Sequence, residues 1–230
     1  MLIEFTVGNY RSFKDLQTLS MIAAPLKSKD KDLDANTIFQ VEGQPGLLTC
    51  AAIYGANASG KSNLLGALGF VRSFVLNSSK GTRPTGDIDV EPFRLNASTR
   101  DAPSSFEIVF IQADVRYRYG FEANQERVIS EWLYYTPSSR EARLFERRGD
   151  EIIVGNKFPE GRKLRSQTRP NALFLSVVAQ FNGPTAQSIL DWFHNINYGS
   201  GMVDFPVRIY TNERFLDIEK ADPIRRLVCQ

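Results

Sequence analysis

Length, composition and charge restrict the protein class before any motif is considered. The chain has 230 residues, 42% of them hydrophobic, which is enough to bury a core in one large domain or two lobes. Its 28 Lys and Arg residues nearly balance 26 Asp and Glu residues, so a formal charge of +2 excludes any general attraction to nucleic acid or anionic membranes. Such binding would have to come from local clusters.

The sequence also lacks the marks of export, membrane insertion and thiol chemistry. Its N-terminus, MLIEFTVGNYRSF, is not a signal peptide, and no apolar run approaches the length of about 18 residues that a membrane span requires. Cys50 and Cys229 are far apart and lack the paired spacing of a metal site or a disulfide framework. We therefore expect a cytoplasmic protein with no membrane partner.

The first elements in chain order are two strands and a loop. Residues 2–7 alternate between apolar and polar side chains, which predicts a strand with one buried face. A second strand is predicted over residues 17–23. Residues 25–44 are rich in Lys, Asp and Asn and are typical of a surface loop.

A strand, a glycine-rich loop and a helix are predicted next. The continuous apolar run LLTCAAIY, residues 47–54, favours a strand that is covered on both faces. The loop GANASGKS occupies residues 55–62 and has the spacing of a phosphate-binding loop. After it, apolar residues at helical spacing predict an amphipathic helix over residues 61–77: Leu64, Leu68, Val71 and Val75.

Each position of this loop has a chemical task. Gly55 and Gly60 allow backbone amides to curve around phosphate oxygens, while the helix directs its positive end at the same anion. Lys61 is placed to reach the β- and γ-phosphates, and the hydroxyl of Ser62 is placed to ligate Mg²⁺. ATP with Mg²⁺ is the predicted ligand, and a glycine-rich turn that merely caps a helix is the alternative.

An antiparallel region is predicted after a polar excursion over residues 77–105. The segment SFEIVFIQADVRYRYGF predicts a hairpin, with further strands over residues 128–135, 142–147 and 151–154. Asp114 follows an apolar run and would be the acid of a compact kinase if the region belonged to a parallel core. Its position at the predicted hairpin tip favours a turn residue instead.

The last third of the chain contains an apolar segment, a helix and a basic cluster. Residues 171–181, NALFLSVVAQF, are apolar, and PTAQSILDWFHNI predicts a helix that carries His194, interpreted as a packing or surface residue. Arg162, Lys163, Arg165 and Arg169 form the densest basic cluster. The cluster is equally compatible with contact to nucleic acid phosphates and with an ordinary exposed loop.

Several motifs resemble ABC- and SMC-like ATPase heads of the RecF type. Within and after the loop, Asn57, Ala58, Ser59 and Asn63 resemble these ATPases rather than small-molecule kinases or GTPases. The segment VGNYRSF, residues 7–13, resembles their Asn-aromatic-Arg-Ser segment, which implies that Arg11 and Ser12 lie near the nucleotide. Arg11 is otherwise a surface cation at a strand end.

A further set of motifs extends the resemblance over nearly the whole chain. Residues 171–181 resemble the strand that ends in the glutamine of the Q-loop, so Gln180 would contact Mg²⁺ and the attacking water; otherwise it is a solvent-facing side chain. The segments EPFRL, YRYGF and SEWLYY resemble AAA family ATP-binding proteins related to RloA and the OLD nucleases.

The resemblance implies a fold and a division of the chain. The fold class is α/β: a P-loop NTPase core with an antiparallel β subdomain and the start of a helical lobe. Residues 1–180 would form the ATP-binding lobe, with the loop at 55–62 and the antiparallel subdomain at about 105–155. Residues 181–230 would begin the helical lobe, within which we expect the chain to stop.

The resemblance also implies the site and the partners. The predicted nucleotide site comprises Arg11, Ser12, Gly55, Ala56, Asn57, Ala58, Ser59, Gly60, Lys61, Ser62 and Asn63, with Lys61 as the catalytic residue and Ser62 and Gln180 at the metal. The related heads hydrolyse ATP as homodimers linked to nucleic acid processing and defence against foreign DNA, often with a nuclease partner.

Two parts of a complete head are not found in the sequence. There is no LSGGQ-like signature segment, and no apolar strand ending in Asp-Glu follows Gln180. We therefore expect ATP binding with poor hydrolysis by this chain alone. Two alternatives stay open: a non-catalytic nucleotide-binding module that docks on a partner, and a compact kinase or NTPase that uses Asp114.

Overall fold

The computed structural model describes residues 1–26, 37–40, 45–81 and 87–199. One compact unit covers Met1–Asn195, and most of a second unit, Ile196–Gln230, lies outside the described residues. The same holds for most of the predicted loop at 25–44, for Cys229 and for the predicted helical lobe beyond residue 199. The predicted lobe boundary after residue 180 falls inside the first unit and stays a prediction.

Seven strands form one sheet in which every described pairing is antiparallel. Its spatial order is β2-β1-β5-β6-β7-β8-β9, and a small second sheet pairs β3 with β4. The strands are β1 (Leu2–Gly8), β2 (Gln17–Ser20), β3 (Ile38–Phe39), β4 (Leu47–Leu48), β5 (Ser104–Gln112), β6 (Val115–Ala123), β7 (Val128–Thr136), β8 (Ala142–Arg148) and β9 (Glu151–Val154).

The predicted antiparallel strands at about 105–155 are therefore present, and they continue the sheet begun by β1 and β2. Gly149 and Asp150 form the turn between β8 and β9. In the β5–β6 hairpin, Ala113 and Asp114 both have positive φ, at 48° and 59°, as the two central residues of a tight hairpin turn require. The second strand is shorter than predicted and ends at Ser20.

The helices are α1 (Lys61–Asn77), α2 (Ala97–Arg100), α3 (Phe174–Gln180) and α4 (Pro184–Asn195). Of these, α1, α3 and α4 pack on one face of the sheet. Phe70 of α1 packs on Phe106 and Phe121, with ring centroids 5.2 and 6.4 Å away. Trp192 of α4 stacks on Phe110 at 4.2 Å. Because side chains alternate along β5, Phe106 and Phe110 share this covered face.

The predicted strand over residues 47–54 is wrong for most of its length. Only Leu47 and Leu48 pair, whereas residues 49–54 form no regular structure and are exposed. Leu47 is buried against Ile3, Val109 and Ile111. An apolar run becomes a doubly covered strand only where neighbouring strands exist, and within the described residues none pairs with residues 49–54.

The strand interpretation of residues 171–181 is also wrong, because Phe174–Gln180 is helix α3. Every residue from Phe174 to Ala179 is buried, and a short run that is apolar on all sides does not reveal its period. A buried carboxylate holds the start of this helix. Glu131 accepts hydrogen bonds from the amides of Phe174 at 2.6 Å and Leu175 at 3.0 Å.

The same carboxylate belongs to a buried polar cluster. The Tyr119 hydroxyl donates to Glu131 at 3.0 Å, and the Arg147 guanidinium lies 4.0 Å from it. Arg147 also donates to the carbonyl of Ala172 at 2.6 Å, just before α3. Burial raises the pKa of Glu131. The cluster therefore anchors α3 to the sheet through groups that would be costly to leave unpaired.

No helix among the described residues is long and apolar enough to cross a membrane.

Candidate nucleotide site

The glycine-rich loop turns sharply into helix α1. Gly60 precedes the helix with φ 91°, a left-handed conformation that favours glycine, and Ala58 also has positive φ, at 63°. A Cβ atom on Gly60 would lie 3.2 Å from the Ser12 Oγ. Both the backbone conformation and the close approach of a neighbouring turn therefore account for glycine at this position.

The Lys61 ammonium lies within the curve of the loop. Its Nζ donates to the carbonyl of Gly55 at 2.8 Å, to the carbonyl of Ala56 at 2.6 Å and to the Ser59 Oγ at 3.4 Å. Residues 55–59 are exposed, so the concave side of the loop is open to solvent. A cation held by carbonyl dipoles in an open turn can exchange these acceptors for the stronger ones of a phosphate.

The N-terminus of α1 points at the same place. The amide of Leu64 donates to the Gly60 carbonyl at 3.0 Å and makes the first backbone bond of the helix. The amides before it have no intrahelical acceptor, and a helix of 17 residues carries a positive N-terminal end. Ser62 is exposed in the first turn, where its hydroxyl can serve as one oxygen ligand of Mg²⁺ beside phosphate oxygens and water.

The turn after β1 packs directly on the loop and its helix. The Asn63 side chain donates to the Ser12 Oγ at 2.8 Å. The Phe13 ring would lie 3.4 Å from a Cβ on Gly60. The structure thus brings Ser12 and Asn63, both predicted site residues, together at the base of the loop.

Arg11 lies one turn further along α1. Its guanidinium donates to Glu91 at 3.0 Å and lies 3.0 Å from where a Cβ on Gly66 would be. It also lies over the Tyr10 ring, 5.2 Å from the centroid. The Arg11 guanidinium therefore lies near the second turn of α1, and it is paired with the carboxylate of Glu91. Its predicted contact with nucleotide stays a prediction.

Asn9 fixes the position of this turn. The residue is buried, has φ 47°, and its Nδ2 donates to the carbonyls of Thr99 and Ala102, both at 2.9 Å, and of Pro103 at 3.2 Å. Its Oδ1 accepts from the amide of Phe93 at 3.0 Å. The side chain therefore ties the turn to the segment that leads into β5.

Gln180 is not brought to the loop. Ser176 of α3 donates to the carbonyl of Val75, which is about 21 Å along α1 from Lys61 at the rise of an α-helix. Gln180 is exposed one turn beyond Ser176, so about 15 Å would still separate it from Lys61 even if α3 ran straight toward the loop. Its role at the metal stays a prediction and would require α3 to move.

Asp114 lies at the end of β5 remote from the loop. Ser104 at the start of β5 donates to the Asn9 carbonyl at 2.5 Å, whereas Asp114 follows the far end of the strand, about 30 Å away at the rise of an extended chain. It is exposed. This separation argues against Asp114 as the acid of a compact kinase. His194 is exposed at the end of α4, as interpreted from the sequence.

A cavity of about 620 Å³ lies beside α1, beyond the loop. Phe70 and Phe74 line it with Tyr10, and Asp87 and Asp89 supply acidic groups. Burial raises the pKa of the Tyr10 hydroxyl. Residues 82–86, which lie outside the described part, join two segments that line the cavity.

Sequence reasoning missed three residues that shape the site. Glu91 pairs with Arg11 across 80 positions, Phe13 packs on the loop glycine, and Gly66 leaves room for the Arg11 guanidinium. The EPFRL segment contains Glu91, but nothing in its letters indicates the partner. Only Gly66 carried a local signal, because glycine inside a helix costs stability and usually has a packing reason.

The comparison with protein families decides the class of this site. Residues 50–227 match the family described as "AAA domain, putative AbiEii toxin, Type IV TA system". The chain belongs to this AAA-domain family. The match covers the loop, α1 and all of β5 to β9. A search of curated proteins returned no match to the chain.

As an AAA-domain protein, the chain is a P-loop NTPase of the AAA/ABC-like ATPase group, and its ligand is ATP. The predicted α/β fold class is confirmed, with a mostly antiparallel sheet and a few helices. The narrower resemblance to RecF-like heads and OLD nucleases stays a prediction.

Proposed function

We propose that this AAA-domain protein binds Mg-ATP through residues 55–63 and that it hydrolyses ATP only when further segments complete the site. The observation that carries the proposal is the convergence of two positive groups on one open turn. These are the Lys61 ammonium and the N-terminal amides of α1. A triphosphate is the anion that fits such a turn.

The described residues support binding more than hydrolysis. None of the described hydrogen bonds or ion pairs joins a carboxylate to the loop, and no cluster of three or more His, Cys, Asp or Glu side chains occurs in the described part of the chain. Ser62 is thus the one proposed protein ligand for Mg²⁺ at the loop. In this proposal, the acids that activate water come from a further segment of the head, and a homodimer of heads completes the site.

Nucleotide titration tests the binding step. Calorimetric titration of Mg-ATP should show binding to the wild type that weakens by about 10- to 150-fold in Lys61→Ala, since a hydrogen bond to a charged group is removed. Lys80→Ala is the matched control, because Lys80 lies beyond the other end of α1 and bonds Asn77. Equal affinity in wild type and Lys61→Ala would refute the site. Ser62→Ala should reduce the gain in affinity that Mg²⁺ provides.

Hydrolysis assays test completion. We expect negligible turnover by the chain alone, and concentration-dependent turnover once a longer chain or a partner supplies the missing acids. Strong turnover by the chain alone that Asp114→Ala abolishes would instead establish the compact kinase.

A second candidate function is a nucleotide-binding regulatory module, and the lack of a described carboxylate at the loop favours it specifically. In that case Mg-ATP binds with the same dependence on Lys61 but turnover never appears. On the ATPase reading, the complete protein couples ATP-driven dimerisation to nucleic acid processing in the cytoplasm, in defence against foreign DNA and with a nuclease partner.

A further inference from the structure

A surface remote from the loop carries an excess of positive charge. Five cationic side chains and one carboxylate, Glu160, fall between Gly155 and Gly183, although the whole chain is almost neutral. Four of these cations are exposed and are called the basic patch here: Lys157, Arg162, Lys163 and Arg165. The fifth, Arg169, donates to the carbonyls of Ser78 and Ser79 and is part of the fold.

The local backbone conformation leaves the cationic side chains of the patch exposed to solvent. Phe158, Gly161 and Leu164 are buried at intervals of three residues, and two 3₁₀ turns cover Pro159–Gly161 and Arg165–Gln167. With three residues per turn, the buried positions share one face and the cations between them face solvent. Arg162 and Arg165 are also three apart, so they lie side by side on the exposed face.

Among the residues that the structure describes, no carboxylate forms an ion pair with the patch. The ion pairs in the described part of the chain engage other arginines. Arg162 bonds a neutral amide, Asn156, at 3.3 Å, and Arg165 bonds the Arg162 carbonyl at 3.1 Å. Glu160 is engaged elsewhere, because it accepts from the amides of Thr185 and Ala186 at the start of α4.

An exposed aromatic ring, that of Phe181, belongs to a turn that contacts the patch segment. Phe181 is 58% exposed directly after α3. Its turn contacts the patch segment, since a Cβ on Gly183 would lie 3.2 Å from Glu160. Phe181 is two residues from Gly183, and Arg162 is two residues from Glu160. The Cα atoms of each of these pairs are therefore at most about 7 Å apart.

We propose that the basic patch and Phe181 form a contact site for single-stranded nucleic acid, DNA or RNA. Guanidinium groups bind phosphates in a bidentate manner, and an exposed ring offers a surface on which an unpaired base can stack. A duplex hides its bases and an anionic membrane has none, so Phe181 favours a single strand over both. The proposal deepens the nucleic acid role proposed above, and it does not depend on nucleotide binding.

Fluorescence anisotropy with labelled single strands of about 20 nucleotides, as DNA and as RNA, measures this binding without ATP. The triple variant Arg162→Gln, Lys163→Gln, Arg165→Gln should bind at least about tenfold more weakly at low salt. Loss of three phosphate contacts should also make the slope of log K against log salt shallower by about 2. Which single strand binds more tightly identifies the natural one.

A matched control separates the patch from overall charge. The triple variant Lys14→Gln, Arg94→Gln, Arg100→Gln removes the same charge from exposed positions next to β1 and β5, across the sheet from the patch. It should stay within about twofold of wild type. Equal loss in both triple variants, or no loss in the patch variant, would overturn the proposal.

Substitutions of Phe181 test the stacking step. Phe181→Leu keeps an apolar side chain but loses the ring, and it should weaken binding by about tenfold, whereas Phe181→Trp should retain it. Circular dichroism on each variant checks that the fold is intact. Unchanged binding by Phe181→Leu, tighter binding to the matched duplex, or binding only to vesicles rich in phosphatidylserine would each contradict a single-strand site.

Discussion

The turn at residues 9–13 depends on one buried amide, and Asn9→Asp is the substitution that isolates its role. Aspartate has nearly the same shape and tolerates the positive φ of this position. It replaces an NH₂ group that donates to three carbonyls, those of Thr99, Ala102 and Pro103, with an oxygen that cannot donate when ionised.

The expected loss follows from these contacts. The carbonyls lose two N–H donors, which accounts for about 2 kcal/mol, and a carboxylate facing carbonyl oxygens in a buried site adds about 1 to 2 kcal/mol. We therefore expect Asn9→Asp to lower the free energy of unfolding by about 3 to 4 kcal/mol at neutral pH. Urea unfolding followed by circular dichroism measures it.

The pH dependence of this loss has a definite sign. Burial against carbonyl oxygens raises the pKa of the introduced carboxyl above its unfolded value, so the folded variant binds the proton more tightly. Stability relative to wild type should therefore recover as the pH falls toward about 5, where the protonated acid again donates a hydrogen bond. A deficit that grows on acidification would contradict this assignment.

Asn96→Asp is the matched control in the same connection. The Asn96 side chain accepts from the Ser98 amide and hydroxyl at 2.9 and 2.7 Å, and aspartate accepts equally well. It should change the free energy of unfolding by less than about 0.5 kcal/mol. If Asn9→Asp also stays within that range, or if Asn96→Asp loses as much, the clamp at Asn9 does not exist as described.

Three further substitutions test other parts of the fold. Glu131→Ala should lower the free energy of unfolding, measured in urea, by about 3 to 5 kcal/mol. It leaves the buried Arg147 guanidinium without its carboxylate and two amides of α3 without an acceptor. A loss below about 1 kcal/mol would show that the cluster is not buried. Gly120→Ala should destabilise by about 1 to 3 kcal/mol in thermal unfolding, since its Cβ would meet the Trp132 ring at 2.4 Å. Arg118→Gln should raise the pKa of Glu141 toward its ordinary value in an NMR titration, because the hydrogen bonds from Arg118 hold that pKa low; an unchanged pKa would refute the pairing.

The parts of the fold that could be predicted from sequence are those set by local rules. Helix α1 was predicted over residues 61–77, which are its observed bounds, because apolar side chains recur at helical spacing after a glycine. The β5–β6 hairpin followed from the alternation that begins at Val115, directly after Gln112-Ala113-Asp114. β9 was predicted at its observed bounds, residues 151–154, since the Gly149-Asp150 turn marks where the chain reverses.

The predictions that were wrong concern segments whose structure depends on contacts with residues distant in the sequence. Residues 47–54 are apolar enough for a buried strand, but a strand of that kind needs partners on both edges, and the described sheet supplies none beyond Leu48. Residues 171–181 are apolar on all sides, and the carboxylate of Glu131 that starts α3 lies about 43 positions earlier in the chain, so no local pattern indicates it. Periodicity within a local stretch of sequence cannot predict contacts between residues so far apart in the chain.

The candidate site also has one part that local sequence predicts and one part that depends on contacts between distant segments. The spacing of the loop motif predicted that Lys61 and Ser62 begin a helix directly after Gly60. The structure places both residues in the first turn of α1. The Arg11–Glu91 pair depends on how two distant segments meet, and it alters how the site should be understood. An arginine already neutralised by a carboxylate adds little attraction for phosphate until the pair separates.

The described contacts support nucleotide binding at the loop, as proposed above. Lys61 is already bonded to two carbonyls, so a phosphate gains only the difference between a charged acceptor and a neutral one. That difference favours the triphosphate, and the free amides of α1 add to it without any rearrangement. Hydrolysis also requires a group that positions and activates the attacking water, which the proposal assigns to a further segment. The turn at residues 9–13 joins the loop to the antiparallel sheet, since Ser12 accepts a hydrogen bond from Asn63 while Asn9 holds the segment that leads into β5.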